Sequence, residues 1–351
     1  MNSEWFREEK DVSKPYRADY LKSVNDYLAR AREDAVSRRE KFISPELVLA
    51  DREGFRTKFR EMLGIPLRDI DKARETPVKL ISDEHVADYD KWEIRRLRLN
   101  VLDGFTMYGV LFLPEDLKDG ASAVGKHPFV ISQHGGQGTP ESCSDFFGNN
   151  NYNHLTRRLL ERGAVVFAPQ LLLWDKEAFG DKYDRAKLDS DLKQVGGSIT
   201  ALEVFGISRC LDYFTTKPYC DPDHIGMAGL SYGGFYTLMT TASDTRIRSA
   251  YASCSFNDKF IYGWTDWAWN DSAATFLDAE IAGLVAPRAI VFDAGDHDHL
   301  FGSESAKHEF ARAKKYFDAA GVPDNIKLIC FDGDHELCPQ DDGMEFLFAH
   351  I

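Results

Sequence analysis

The amino-acid sequence predicts an α/β protein, with a mostly parallel sheet of about eight strands, helices on both faces and a helical N-terminal extension. Short apolar runs of strand length alternate with helical stretches from about residue 129 onward, which is typical of buried parallel strands joined by helices. A hairpin pattern precedes them, and the first 80 residues carry helical signals. We therefore divide the chain into an extension, residues 1–80, and an α/β domain, residues 81–351.

The extension is predicted to form two helices. Apolar residues recur at helical spacing between residues 16 and 41,. A second helix is predicted over 45–63, because Ser44 can cap its first turn and Gly64 can end it,. The sequence leaves three arrangements open: these helices cover the site, pack on the flank of the sheet, or form a subunit interface.

The strands of the domain follow in order. Apolar alternation over 93–101, a turn at Asp103-Gly104 and a second strand over 105–113 predict a β-hairpin,. Six apolar runs then predict buried strands, over 129–132, 164–168, 225–228, 249–252, 289–292 and 326–331. Helices are predicted between most of them, over 152–162, 199–214, 234–242 and 305–320.

Composition excludes several classes of protein. Hydrophobic residues make up 43% of the chain and aromatic residues 13%, which is too apolar for a disordered protein. The net charge of −14 argues against nucleic acid and anionic membranes as partners. The charged N-terminus lacks the apolar stretch of a signal peptide, and no run of about 18 apolar residues predicts a membrane helix. We therefore expect a cytoplasmic protein.

The most informative segment is a G-x-S-x-G sequence centred on Ser231, between a predicted strand and a predicted helix. A serine on so tight a turn projects above the sheet edge, and the helix N-terminus sets free N–H groups beside it. Gly229 and Gly233 are small because neighbouring backbone must pack closely there. The pattern predicts Ser231 as a nucleophile, with an ordinary glycine-rich turn as the alternative.

A second motif, His134-Gly135-Gly136, follows the strand predicted over 129–132. Glycines allow a backbone N–H to point into the site as half of an oxyanion hole, and the other half is the N–H of the residue after the nucleophile. This assigns Gly136, or the next residue Gln137, together with Tyr232. We expect His134 to have a structural role in holding the loop.

An acid and a histidine are expected after the nucleophile in chain order. The strand over 289–292 leads into a carboxylate-rich loop in which Asp298 is the predicted acid. Asp296 is the second choice, and Asp293 falls within the strand. His335 follows the last strand and is predicted to be the general base that takes the proton of Ser231. Adjacent acids and histidines rarely converge on one ion, so no metal and no cofactor are expected.

Aromatic residues follow two of the predicted strands. Trp174 lies after one, and Trp264 and Trp267 lie after another. Open α/β sheets bind ligands at the carboxyl edge of their strands. Together with Gln137, these residues are predicted to contact substrate, and the alternative is that the aromatic residues belong to the core or an interface.

These motifs, in this order, resemble the α/β-hydrolase superfamily from about residue 90 to 351. The opening hairpin and the Leu113-Pro114 that ends it resemble the branch of the acetyl xylan esterases and dienelactone hydrolases, which commonly carries a helical N-terminal extension. The resemblance implies that residues 81–351 form the catalytic domain of a serine carboxylesterase, often a deacetylase of acetylated sugars. Dienelactone hydrolases proper use cysteine where this chain has Ser231, so the carbohydrate-esterase side is the closer one.

The predicted function is hydrolysis of short acyl esters, foremost acetyl esters, through an acyl-serine intermediate. The substrate is expected to be a small molecule or an oligosaccharide ester. Two alternatives stay open: a peptidase or amidase of the prolyl-oligopeptidase type with the same three residues, and a non-catalytic binding protein with the hydrolase fold. The resemblance also implies a homo-oligomer as a protein partner, because this branch often assembles.

Overall fold

A computed structural model describes residues 10–120, 126–144 and 150–351 of the chain. Its centre is one nine-stranded sheet in the order β1-β2-β3-β5-β4-β6-β7-β8-β9. The strands are β1 (Lys79–Tyr89), β2 (Trp92–Leu102), β3 (Phe105–Pro114), β4 (His127–Gln133), β5 (Val165–Pro169), β6 (Cys220–Leu230), β7 (Ser249–Ser253), β8 (Ala289–Gly295) and β9 (Ile326–Phe331). Strands β1 to β3 are antiparallel, and β3 joins antiparallel to β5. All pairings from β5 to β9 are parallel, which confirms the predicted mostly parallel sheet.

Strand β1 accounts for the difference between the predicted eight strands and the nine observed. Its side chains are mostly exposed along its whole length, because it pairs only with β2 and forms one edge of the sheet. An edge strand without a buried face has no need of the apolar alternation by which strands are recognised in a sequence.

Twelve α-helices surround the sheet in the described part of the chain. They are α1 (Lys10–Phe42), α2 (Pro45–Ala50), α3 (Arg52–Leu63), α4 (Ile70–Ala73), α5 (Leu155–Leu160), α6 (Lys176–Phe179), α7 (Arg185–Gln194), α8 (Ile199–Phe214), α9 (Tyr232–Ser243), α10 (Asp278–Gly283), α11 (Ser303–Ala319) and α12 (Asp342–Ala349). The helix predicted over 45–63 is two helices, α2 and α3. They break at Asp51, whose side chain accepts a hydrogen bond from Gly54 N–H and so caps α3.

The sheet is covered on both faces, as predicted. Alternate residues of a strand point to opposite faces, and β4 shows this directly. Phe129 and Ile131 pack into a core shared with α3 and α8 to α11. Val130 packs into a second core that contains Leu155 of α5 and Leu347 of α12. Within the described residues, no helix combines the length and apolar character needed to cross a bilayer.

Helices α2 and α3 pack on helices that cover one face of the sheet, α2 against α11 and α3 against α8 and α9. Phe59 of α3 is buried in the same core as α9 and α10, and Arg56 donates hydrogen bonds to the carbonyl oxygens of Ala242 and Leu284. In α1, residues 14–30 are exposed. The first nine residues of the predicted extension lie outside the described residues, and the domain division at residue 80 stays a prediction.

Candidate active site

Ser231 stands alone between the end of β6 and the start of α9, in a backbone conformation that non-glycine residues rarely adopt, with φ 60° and ψ −122°,. The turn is tight because its neighbours approach closely. A Cβ added to Gly233 would lie 2.1 Å from the carbonyl oxygen of Gln133, and one added to Gly229 would lie 2.5 Å from Gly233. Only glycine fits at these two positions, so the G-x-S-x-G sequence follows from the packing of β6, β4 and α9.

The imidazole of His335 and the carboxylate of Asp298 form a direct hydrogen bond, with 2.8 Å between Nδ1 and Oδ2. The second carboxylate oxygen, Oδ1, accepts the backbone N–H groups of Leu300 and Phe301 at 2.8 and 3.0 Å. Burial disfavours the charged carboxylate, but the hydrogen bond from His335 and these two N–H groups together lower the pKa of Asp298. The ionised carboxylate of Asp298 accepts a hydrogen bond from the Nδ1–H group of His335. The other ring nitrogen, Nε2, then carries no proton and can act as the base.

The second choice for the acid, Asp296, is exposed, whereas Asp298 is buried. Two backbone hydrogen bonds join the loop after β8 to the loop after β9: Asp296 N–H donates to Phe331 and His297 N–H donates to Gly333, at 2.9 and 3.0 Å. Gly295 permits this approach, because a Cβ there would lie 2.3 Å from the carbonyl oxygen of Asp334. The two loops therefore hold Asp298 against His335 as one unit.

The loop after β4 lies against the serine turn. A Cβ added to Gly135 would lie 3.1 Å from the Cβ of Ser231. Tyr152 holds this loop, since its hydroxyl oxygen accepts the N–H of Gly135 at 2.7 Å. Gln137 adopts a positive φ of 59°. On the opposite side, the N–H of Tyr232 opens α9, where helix geometry provides no acceptor within the helix.

His134 is buried and fixed at both ring nitrogens. Its Nδ1–H donates to the carbonyl oxygen of Gly135 at 2.9 Å, and its Nε2 accepts the N–H of Leu171 at 3.0 Å. Burial lowers the pKa of His134 to about 4, so the ring is neutral and ties the loop after β4 to the end of β5. These contacts agree with the structural role predicted for it.

Ser231, His335, Gly136, Gln137 and Tyr232 line one open cavity of about 520 Å³. The structure thus brings together the predicted nucleophile, base and oxyanion residues, with Asp298 behind the base. Further lining residues include several that sequence reasoning missed, among them Tyr152, Asn151 and Leu300. They come from loops with no motif, and only the fold brings them to this edge.

The three tryptophans that were predicted to contact substrate lie in different surroundings. Trp264 lines the Ser231 cavity and stacks on Tyr232, with ring centroids 5.3 Å apart. Trp267 is only 2% exposed, stacks on Phe235 in the core and is not among the residues that line the Ser231 cavity, so its contact with substrate stays a prediction. Its burial follows from packing against a helix more than 30 residues away in the chain. Trp174 lies outside this cavity and lines a neighbouring one.

A buried ionic network, also unforeseen from the sequence, supports Tyr232. Arg185 donates to Asp266 at 2.8 Å and to Glu203 at 2.9 Å, and Asp266 accepts the hydroxyl of Tyr232 at 3.1 Å. Arg185 also donates to the hydroxyl of Tyr236. Each charge in the network is paired, as burial requires, and the network fixes the side chain that borders Ser231.

In the described part of the chain, one group has potential metal-ligand atoms within 4.8 Å of one another: Cys254, Asp298 and His335. The imidazole and the carboxylate are already hydrogen-bonded to each other. Burial raises the pKa of the Cys254 thiol well above its ordinary value, and its Sγ donates to the carbonyl oxygen of Glu336. The thiol, the imidazole and the carboxylate thus all have hydrogen-bond partners within the protein.

The chain is similar to several known proteins. The profile of the prolyl oligopeptidase family matches residues 203–280, which include the serine turn. YtaP of Bacillus subtilis, a hydrolase by its name, is 28% identical over 169 residues. That match covers 45% of this chain and 56% of YtaP, so the chain spans little more than half the length of that relative.

Two solved structures are similar over most of the chain. A protein of Bacteroides fragilis described as an acetyl xylan esterase has a TM-score of 0.62 at 16% identity, with 87% of this chain and 83% of that chain covered. A methylesterase has a TM-score of 0.63 at 18% identity, with 92% and 68% covered. The sheet order, the serine turn after β6 and these similarities together show that the chain has the α/β-hydrolase fold.

Proposed function

We propose that this protein is a serine esterase that hydrolyses short acyl esters, foremost acetyl esters of carbohydrates. One observation carries the proposal: a strained serine, an imidazole bonded to a buried carboxylate, and the residues predicted to supply the oxyanion N–H groups line a single open cavity. This is the set of groups that acyl transfer needs, namely a nucleophile, a base and donors for the oxyanion.

In the first half of the reaction, Ser231 Oγ attacks the ester carbonyl carbon while Nε2 of His335 takes the hydroxyl proton. The carbonyl oxygen becomes an oxyanion, which accepts the N–H of Tyr232 and that of Gly136 or Gln137. Asp298 stabilises the imidazolium through Nδ1. The imidazolium then protonates the leaving alcohol as the carbon–oxygen bond breaks, which leaves an acyl-serine.

In the second half, water enters the cavity and His335 removes one of its protons as the water oxygen attacks the acyl carbon. The tetrahedral intermediate collapses, the acid leaves, and the proton returns to Ser231 Oγ. Each half uses the same oxyanion donors, so a rigid loop after β4 serves both steps. The hydrogen bonds of His134 and Tyr152 supply that rigidity.

The walls of the cavity and the similar proteins support a small acyl group and a carbohydrate substrate. Trp264 and Leu300 border Ser231 and favour a small acyl group over a long chain. Similar solved structures are described as an acetyl xylan esterase and a methylesterase, both of which act on small ester groups by their names. The net charge of −14 favours a neutral substrate.

The second candidate is a peptidase with the same three residues, favoured by the match to the prolyl oligopeptidase family. The two candidates differ in the leaving group, an alcohol or an amine. A panel of p-nitrophenyl acetate, octanoate and palmitate, beside a dipeptidyl p-nitroanilide, separates them. We expect the acetate to be hydrolysed fastest and the anilide to be inert.

Labelling with a serine-directed fluorophosphonate, followed by mass spectrometry, tests the mechanism directly. We expect one label on Ser231, greatly slowed by His335→Ala, since the base is then absent. Preference for the palmitate would refute the short acyl group, and preference for the anilide would establish the peptidase. A protein that takes no label would exclude both candidates and leave a binding protein.

A further inference from the structure

A second cavity of about 450 Å³ lies beside the one that contains Ser231, and we call it the flanking cavity. Its lining has aromatic and polar members. They are Trp174, Phe179, Tyr108, Arg96, Thr139, Glu141, Gln170 and Asp181.

The two cavities share a wall. Gln137 lines the Ser231 cavity, and Thr139 and Glu141 of the same loop line the flanking cavity. Gln137 also forms a β-bridge with Trp174. Ser231 follows β6 and Gln170 follows β5, with only β4 between those strands. Two strand spacings amount to about 10 Å, so one extended ligand can occupy both cavities.

One wall of the flanking cavity is aromatic. Trp174 is held in place because its Nε1–H donates to Asp181 at 2.8 Å and its ring packs on Tyr183, with 4.7 Å between centroids. Phe179, at the end of α6, is 62% exposed. A large apolar side chain left in solvent beside a fixed indole provides an apolar surface for a ligand to cover.

The other wall is polar. The Tyr108 hydroxyl donates to Glu141 at 2.9 Å, and Arg96 forms an ion pair with the same carboxylate at 3.5 Å. Arg96 and Glu141 line the cavity and are both partly exposed. Such a wall offers donors and acceptors, and the guanidinium of Arg96 offsets the charge of Glu141. The carboxylate of Asp181, which also lines the cavity, accepts the indole N–H of Trp174.

We propose that the flanking cavity is a subsite for a neutral sugar residue, adjacent in an oligosaccharide to the residue whose ester reaches Ser231. A pyranose has apolar C–H faces and a rim of hydroxyl groups, and these match the aromatic wall and the polar wall. A fatty acyl chain would cover the charged and polar groups of Arg96, Glu141 and Tyr108 without replacing the hydrogen bonds that they make to water. The proposal rests on the proposed esterase function.

The first test is direct binding, which needs no turnover. Calorimetry measures the binding of four unacetylated neutral tetrasaccharides, derived from xylan, cellulose, mannan and galactan, to the full chain. We expect at least one of them to bind. Phe179→Ala and Trp174→Ala are expected to weaken that binding about five- to tenfold each, as for loss of one aromatic contact. Tyr20→Ala is the matched control, because Tyr20 is 72% exposed on α1.

The second test compares two substrates. For Phe179→Ala, the ratio of kcat/KM on acetylated xylotetraose to kcat/KM on p-nitrophenyl acetate is expected to fall about fivefold or more, through KM on the oligosaccharide. The ratio for Tyr20→Ala should equal that of the unmodified chain. A ratio unchanged in Phe179→Ala and Trp174→Ala would overturn the subsite.

The two tests also separate the subsite from the proposed function. If the protein hydrolyses acetyl esters but binds none of the four tetrasaccharides, the subsite is wrong and the esterase function stands. If a tetrasaccharide binds and Phe179→Ala weakens it, but no ester is hydrolysed, the esterase function is wrong and the sugar site stands.

Discussion

Acid should destabilise this protein through one buried side chain, His134. The ordinary pKa of histidine is about 6.5, whereas burial lowers the pKa of His134 to about 4 in the folded chain. Between about pH 6.5 and pH 4, His134 is mostly protonated in the unfolded chain and mostly neutral in the folded chain,. The free energy of unfolding therefore falls as the pH decreases from 6.5 towards 4, and this contribution is fully present only above 6.5.

The magnitude follows from the two pKa values. Each pH unit between them changes the free energy of unfolding by about 1.4 kcal/mol. Between pH 7 and pH 5 the loss from His134 is about 2 kcal/mol. The full interval, which extends to about pH 4, corresponds to about 3 kcal/mol.

The matched variant is His134→Gln, whose side-chain oxygen can accept the Leu171 N–H but which does not titrate. Urea unfolding at pH 7 and at pH 5, followed by fluorescence, gives the loss of stability for each protein. We expect the loss to be about 2 kcal/mol smaller in the variant, whatever its stability at pH 7. Other titrating groups contribute equally to both proteins and cancel. An identical loss in the two proteins would refute the assignment of a buried neutral ring.

Three other substitutions have defined outcomes. Asp298→Asn should lower kcat on p-nitrophenyl acetate by about 10⁴-fold because His335 loses its carboxylate partner, while Asp296→Asn should retain activity; the reverse pattern would show that Asp296 is the acid. Tyr152→Phe should lower kcat about tenfold, since an orphaned buried N–H costs about 1–3 kcal/mol, and an unchanged kcat would exclude its role in holding the oxyanion loop. Gly233→Ala should unfold at a clearly lower urea concentration than Gly263→Ala, because its Cβ would meet a β4 carbonyl oxygen at 2.1 Å whereas that of Gly263 has no neighbour nearer than 4.0 Å; equal midpoints would contradict this steric argument.

The residues of the site that the sequence predicted are those defined by local patterns. Ser231 stands in a G-x-S-x-G turn, and Asp298 and His335 each follow an apolar strand. Such patterns mark the carboxyl ends of strands, and a parallel sheet brings these ends to one edge whatever the rest of the chain does. Their proximity in the fold therefore needed no knowledge of loop structure, although their catalytic roles stay predictions.

Properties set by distant parts of the chain were not predictable in this way. Trp267 and Trp264 lie in the same aromatic segment, and no local pattern distinguishes them. Trp267 is nevertheless buried, because Phe235 and Phe301 pack on it. Trp174 lines a different cavity because the loop after β4 stands between it and Ser231. Strand β1 has no apolar alternation because one side of the sheet ends there.

Strand β9 lies at the outer edge of the sheet, and its detachment would abolish the proposed esterase activity. Among the described strands it pairs only with β8. The loop after it carries His335 and is joined by backbone hydrogen bonds to the loop of Asp298. Detachment of one peripheral strand would separate the acid from the base while β4, β6 and the serine turn stay intact. The proposed esterase activity would thus report local unfolding at the C-terminal edge, and we expect it to vanish at lower urea concentrations than the fluorescence of the tryptophans in the core.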